Sequence, residues 1–293
     1  MDTIIVKAPA KVNLYLEVLK RRDDGYHDIE TIFERIDLCD ELTFTKKSEK
    51  HGIKLICEGE DIDCSEEENI IVRSAKALTR KDGRKLGVEI RLKKNIPIAA
   101  GLGGGSSNAA ATLFVVNNLF ELGFSRSELM DVGGTVGADV PFFFSYSPFA
   151  LGTEIGDEIT EIKSTLRLWH LIVRPMVKVK SGDIYSRLSL GLTRPRGSAK
   201  MLLRIIEKGD MIALAKGLRN RLEDVMLESV KEIQRVKDKI LSHGGKGSLV
   251  SGSGPATFGI FSTREEAMEA KEKLDRSGWQ TFVAGTYEPS LSA

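Results

Sequence analysis

Cysteine is scarce in this chain. Its three residues, Cys39, Cys57 and Cys64, form no Cys-x-x-Cys pair, and the odd count argues against a disulfide framework. Histidine is nearly as rare: the four, at positions 27, 51, 170 and 243, show no metal-ligand spacing, so a zinc-free protein is expected. Charge of one sign is missing too. Lysine and arginine number 43 against 42 acidic residues, a net charge of +1, which builds no field for nucleic acid or an anionic membrane. No apolar run approaches the ~20 residues of a membrane span. The opening Met1-Asp-Thr-Ile-Ile-Val-Lys7 has no basic segment leading into an apolar one, so no signal peptide and a cytoplasmic location are expected. Neither an internal repeat nor a low-complexity segment is visible. The expected partner is a small molecule, with no nucleic acid and no membrane.

What is present suits a soluble, well-cored protein: 41% hydrophobic and 29% charged residues over 293 positions. At ~150 residues per domain, that is two domains or one large one.

The most informative stretch is Asn95-Ile-Pro-Ile-Ala-Ala-Gly-Leu-Gly-Gly-Gly-Ser-Ser-Asn-Ala-Ala-Ala111. It sets Gly101, Gly103, Gly104 and Gly105 between a strand-like and a helix-like run, with Ser106 and Ser107 where the helix should open. Such a loop aims several backbone N–H groups at one point, which suits a polyphosphate. Hydrogen bonds to charged groups contribute roughly 1.5–3 kcal/mol each, against about 0.3–1 for the helix dipole. The amide array should therefore dominate binding. A tight turn that merely lets strand and helix pack closely is the plainer alternative.

Around this loop the pattern mixes strands and helices. Val12, Leu14, Leu16 and Val18 alternate with Lys11, Asn13, Tyr15 and Glu17, predicting a strand with one buried face. Asn69 caps a predicted helix carrying Ile71, Ala75 and Leu78 and closed by Gly83. Val88, Ile90 and Leu92 predict a strand that stops near Pro97. The next helix carries Ala109, Leu113, Val116 and Phe120. Ser125 and Glu128 have capping-box spacing for a helix expected to dissolve at Gly133-Gly134. Later come a strand over 168–173, an exposed loop at Arg194-Pro-Arg-Gly-Ser198, and two helices, the longer carrying Leu222, Met226, Ile233, Val236 and Ile240 and ending at His243-Gly244-Gly245. The chain closes as strand (247–261), helix (263–277, opened by Thr263 and Glu266) and strand (279–286). Without strict β-α-β alternation the expected class is α+β, with a seam between 149 and 168 and domains over 1–155 and 156–293.

Several residues could carry chemistry. Asp139 lies between Gly137-Ala138 and Val140-Pro141-Phe-Phe-Phe144, at the edge of an apolar segment where a carboxylate needs a cation or strong donors. Its role is either that or capping a turn. Lys11, on a strand patterned for burial, either snorkels to water or partners Asp139; the pair would read as a general base beside a cation. Gly25-Tyr26-His27 suits stacking on a planar base and reading its edge, or simply packs on its own domain. Tyr185 falls in an expected loop after a strand. Ser251-Gly-Ser-Gly-Pro255 leads into a strand rather than a helix, so bracing of the first loop is favoured over direct phosphate contact.

Three motifs together resemble the GHMP kinase superfamily: Pro9-Ala-Lys-Val-Asn-Leu14, Pro97-x-x-x-Gly-Leu-Gly-Gly-Gly-Ser-Ser-Asn-Ala-Ala110, and Ser251-Gly-Ser-Gly-Pro255. The resemblance implies a two-domain fold with a ribosomal S5 domain 2-like N-terminal half that binds ATP and a ferredoxin-like C-terminal half. Arg22-x-x-Gly25-Tyr26-His27, the expanded glycine loop and Gly137-Ala-Asp-Val-Pro141 narrow it further. They imply ATP-dependent phosphorylation of the tertiary 2-hydroxyl of cytidine diphosphate methylerythritol, in non-mevalonate isoprenoid biosynthesis. On that resemblance Asp139 would be the base and Lys11 would orient the hydroxyl. Asn13 would hold the methylerythritol end, and Tyr26 and Tyr185 would sandwich the cytosine with His27 on its edge. Pro97, Gly101, Leu102, Gly103, Gly104, Gly105, Ser106, Ser107 and Asn108 would form the ATP site, with Ser106 or Ser107 placing Mg²⁺. The chain departs from the family at Lys180-Ser181, commonly Ser-Thr, and at Val250, where methionine is frequent. Three rivals stand beside this reading. A kinase of homoserine or mevalonate is disfavoured by Gly25-Tyr26-His27, and a non-catalytic sensor by the presence of both Lys11 and Asp139. A dinucleotide-binding oxidoreductase would need an acidic residue ending a strand ~20 residues past the loop, where Glu121 instead ends a helix.

Overall fold

Two long strands open the chain, β1 (Thr3–Arg21) and β2 (His27–Lys47). β3 (Ile53–Gly59), α1 (Ile70–Asp82), β4 (Gly87–Lys94), α2 (Gly104–Leu119) and α3 (Arg126–Val136) follow. Next come β5 (Phe149–Thr153), β6 (Glu158–Ile162), β7 (Trp169–Arg174), α4 (Ser181–Arg187), α5 (Ala199–Lys208), α6 (Met211–Gly217) and β8 (Arg219–Asn220). The chain continues through α7 (Glu223–Ser229), α8 (Lys231–Ser242), β9 (Gly247–Val250), β10 (Thr257–Phe261), α9 (Arg264–Leu274) and β11 (Gln280–Gly285). This computed structural model describes residues 3–59, 65, 67–188 and 199–287; the loop expected at 194–198 falls outside them. The class is α+β.

The chain folds into two compact units, each discontinuous in sequence. The first comprises Met1–Ala10, Cys39–Ile98 and Gly103–Phe144. In it the end of β2 pairs antiparallel with β4 (Glu41 opposite Lys93), and β3 lies parallel to β4. Helices α1, α2 and α3 cover these strands, burying Leu42, Phe44, Ile90 and Leu92 with Ile71, Leu78, Leu113 and Val116. At ~25 cal/mol per Å² of apolar surface removed from water, this cluster is the unit's main source of stability. Asn69 accepts the Ile71 amide as the N-cap of α1, and Gly83 (φ 79°) closes that helix. Ser125 and Glu128 form a complete capping box on α3. That helix does not dissolve at Gly133-Gly134 but runs to Val136. Gly133 serves packing instead, since a Cβ there would lie 2.7 Å from Val140 Cγ1.

The second unit comprises Lys11–Leu38, Ala99–Leu102 and Ser145–Ala293. Within it β8 pairs parallel with β1 at Tyr15 and Leu16, and β5 pairs antiparallel with the start of β2. The stretch 149–168 holds a hairpin of β5 and β6, which periodicity did not reveal. A second sheet has the order β11-β7-β10-β9, antiparallel throughout, with α8 and α9 packed on it through Val236, Ile240, Ala267 and Ala270. A β-α-β-β-α-β run closing in that order is the ferredoxin-like arrangement.

Further expectations fail in this part of the chain. The segment 247–261 is two strands joined by a turn, and the helix expected from Leu222 to Ile240 is two. Val230 breaks it with a non-helical backbone (φ −135°, ψ 89°), yet Met226 and Ile233 both reach one buried cluster, so helical spacing continues across the break. Four helices, α5 to α8, thus stand where two were expected. Finally, β1 is buried on both faces from Ala8 to Val18. Its polar residues find protein partners: Lys11 pairs with Asn13, Asn13 with Thr31, and Glu17 accepts from Arg219.

Candidate active site

The glycine loop leaves β4 and enters α2. Gly101 and Gly103 have φ of 80° and 68°, in the left-handed region that glycine adopts without cost. A Cβ on Gly101 would fall 2.1 Å from the Ser251 carbonyl oxygen, and one on Gly104 3.0 Å from Ile96 Cγ2. Gly103 is the N-cap of α2, and its carbonyl accepts the Ser107 amide at 2.9 Å. The helix therefore opens two residues before Ser106. By helix geometry the first amides, from Gly104 onward, have no intrahelical acceptor and are available to an anion. Ser107 Oγ and Asn108 Oδ1 are buried with no hydrogen-bond partner among the described residues. An orphaned hydroxyl beside an amide array, in a cradle that a Cβ would fill, fits a nucleotide phosphate and its metal ion. Pro97 and Leu102 are buried, and Gly105 is exposed.

Lys11 does not snorkel. It is buried, and its ammonium donates to Asn13 Oδ1 at 2.7 Å and stands 5.5 Å from the centroid of the Phe33 ring. Asn13 Nδ2 donates to Thr31 Oγ1 (2.8 Å), which donates on to the Tyr15 carbonyl (2.7 Å). The chain of bonds fixes which way the Asn13 amide faces. Ser251 Oγ accepts the Asn13 amide N–H (3.3 Å) and donates to the Gly101 carbonyl (2.8 Å). The Lys11 amide donates to the Leu102 carbonyl, and the Ala256 amide to that of Ala100. The second glycine-rich turn thus braces the first part of the loop. Gly252 (φ 55°) allows the approach: a Cβ there would sit 3.2 Å from Asn13 Oδ1 and 3.4 Å from Lys11 Nζ. Asn220, a residue that the sequence pattern did not mark, holds this turn by donating to the Val250 and Gly252 carbonyls (2.9 and 2.7 Å).

Asp139 is half-buried in the turn between α3 and the short 3₁₀ segment Pro141–Phe144. The turn is closed by the Val140 amide donating to the Gly137 carbonyl (3.0 Å). Gly137 lies against the start of α2, where a Cβ would come 3.8 Å from Ser106 Oγ. The Asp139 turn and the helix end that would receive phosphates are therefore neighbours in the first unit. Lys11 and Asn13 belong to the second.

Residues Arg22 to Tyr26 connect β1 to β2, which opens on His27. The Arg22 amide donates to the Tyr26 carbonyl (2.8 Å), and Gly25 adopts φ 88°. The Arg22 guanidinium bonds Glu154 (2.7 Å), Asp28 (2.9 Å) and Asp24 (3.2 Å), and with Lys20 it holds the Asp28 carboxyl below the usual carboxylate range. Tyr185 sits in helix α4, not in a loop as expected, and its ring stacks on His27 with centroids 5.1 Å apart and planes at 30°. Tyr26 is largely exposed. His27 and Tyr185 thus form an aromatic pair next to Tyr26 in the chain.

Residues 69–146 match the GHMP kinases N terminal domain, and residues 202–280 match the GHMP kinases C terminal domain. The chain is a GHMP kinase, a small-molecule kinase that uses ATP. A 4-diphosphocytidyl-2-C-methyl-D-erythritol kinase of Syntrophus aciditrophicus is 44% identical over 94% of this chain and 97% of that protein. One from Geobacter metallireducens is 43% identical over 97% and 98%. A crystal structure of 4-(cytidine 5'-diphospho)-2C-methyl-D-erythritol kinase superposes with a TM-score of 0.81 at 29% identity, covering 96% of this chain and 98% of that one. The chain belongs to the family of 4-diphosphocytidyl-2-C-methyl-D-erythritol kinases. A homoserine kinase from Cytophaga hutchinsonii (TM-score 0.75, 20% identity) shares the fold. No helix among the described residues is long and apolar enough to cross a membrane.

Proposed function

We propose that this protein transfers the γ-phosphoryl group of ATP to the 2-hydroxyl of 4-diphosphocytidyl-2-C-methyl-D-erythritol, a step of non-mevalonate isoprenoid biosynthesis. The observation that carries this reading is full-length identity of 43–44% to relatives bearing that name. The stacked His27–Tyr185 pair supports the cytidylyl end of the substrate.

In this reading Asp139 takes the hydroxyl proton, and the Lys11 ammonium, oriented by Asn13, steadies the same oxygen. Asn13 also holds the methylerythritol end. Amides from Gly101 to Ser107 receive the phosphates, and Pro97, Leu102 and Asn108 give their segment its shape. Tyr26 and Tyr185 flank the cytosine while His27 bonds its edge. Mg²⁺ when bound neutralises triphosphate charge, and Ser106 or Ser107 would help to hold it; the orphaned Ser107 hydroxyl favours the second. Phosphoryl transfer asks a protein chiefly for alignment and charge neutralisation, and these residues supply both.

A coupled ADP-release assay tests the proposal, comparing the cytidylyl substrate with homoserine and mevalonate. Turnover of the first alone is expected. Comparable turnover of homoserine or mevalonate would refute the substrate assignment.

A further inference from the structure

The nucleotide loop is anchored by a carboxylate outside every motif discussed above. Asp40, near the middle of β2, is completely buried. Its Oδ1 accepts the backbone amides of Asn95 (2.7 Å) and Ile96 (2.8 Å). Its Oδ2 accepts Lys94 Nζ (2.7 Å) and Asn108 Nδ2 (3.0 Å). A carboxylate has about four acceptor sites, and here all four are spent on the two segments that flank the glycine loop. Asn95 and Ile96 precede it, and Asn108 lies in the first turns of the helix that follows. The same ammonium also donates to the Ile96 carbonyl and stands 3.1 Å from where a Gly104 Cβ would be. The Asn95 side chain adds a bond to the Cys39 carbonyl, beside Asp40 (2.9 Å).

For stability alone this is a poor use of a buried site. A buried ion pair is often replaceable by packed apolar residues at no loss, whereas removing one partner is strongly destabilising. What the carboxylate provides and an apolar residue does not is direction, because it fixes donors from two segments on one point. We propose that Asp40 is a positioning residue for nucleotide binding: it sets the distance between the loop's entry and the start of α2, and so the convergence of the phosphate-binding amides. This rests on the assignment of the loop to ATP, not on the identity of the second substrate.

The test measures ADP affinity by calorimetry, KM for ATP and for the cytidylyl substrate, kcat, and Tm, on the full chain. Asp40→Asn presents an amide to the Lys94 ammonium and to the Asn108 amide. The start of α2 is then no longer held to the loop's entry, so ADP affinity and KM for ATP should worsen on the order of 10-fold, while KM for the cytidylyl substrate stays within about twofold. The swap D40N/N108D restores a carboxylate–amide pair and should recover most of the lost affinity. Should D40N fail to fold, Asn108→Ala carries the test, because it cuts only the tether to α2 and keeps the Asp40–Lys94 pair. It should weaken ADP binding several-fold. Unchanged ADP affinity in a folded variant, or equal losses for both substrates without rescue by the swap, would overturn the proposal. ADP binding is read without turnover, so an error in the second substrate leaves this arm intact.

Discussion

Asp139 and Tyr15 show how differently two ionisable side chains can act. Asp139→Asn keeps the size of the side chain and removes its basicity, so kcat should fall by on the order of 10²–10⁴-fold with ADP affinity nearly intact. Near-normal kcat would remove Asp139 from the role of base. Combining it with Lys11→Met should cost little more than the worse single change, since groups acting as a unit are not additive. Tyr15 is buried in β1, and burial, helped by the nearby Glu17 and Glu30 charges, pushes its phenol from the ordinary 10.0 up to about 12. A folded-state value above the unfolded one contributes stability that is whole below pH 10 and is lost as pH rises towards 12. Tyr15→Phe should flatten the fall of urea-unfolding stability between those values. An unchanged alkaline slope would assign that loss to other groups.

Loops and helix ends are where sequence reading worked best, because their causes are local. Asn69, Gly83 and the Ser125–Glu128 box do what their spacing predicts. The Thr263 site is half of what was expected: Thr263 Oγ1 accepts the Glu266 amide, but the Glu266 carboxylate turns to the Ser262 amide. Glycines also separate at this scale. Gly101 and Gly123 have nearly the same φ, 80° and 79°, but a Cβ at Gly101 meets the Ser251 carbonyl while one at Gly123 meets nothing within 4 Å. Gly123→Ala should therefore cost only the left-handed backbone strain of about 1–2 kcal/mol, visible in Tm, with KM for ATP unchanged. Gly101→Ala should add a rise in KM for ATP of about tenfold or more, as the brace between the two glycine turns opens. Equal effects would mean that the brace carries no binding function.

Across the whole molecule, the proposed function assigns ATP and the cytidylyl group to separate stretches of chain. Tyr185→Ala should raise KM for the cytidylyl substrate by on the order of 10-fold, the scale of a lost base–aromatic stack, and leave KM for ATP alone. Because remote binding energy also aligns the reacting hydroxyl, kcat should fall as well. Equal increases in both KM values would make Tyr185 a packing residue of α4.

The sequence by itself determined the helix caps, the α+β class, the glycine loop and the family, since each is written in neighbouring residues or in motifs of fixed spacing. Tertiary structure alone decided the rest. Lys11, Asn13 and Glu17 are polar on a strand that reads as half-exposed, and only its neighbours bury the second face and satisfy them. The break at Val230 is silent to periodicity because both helices keep one apolar face. Asp40 looks like any acid on a strand until residues 54 to 68 positions away converge on its two oxygens. Buried polar groups must be paired, but which partners meet is a property of the folded chain and not of its local order.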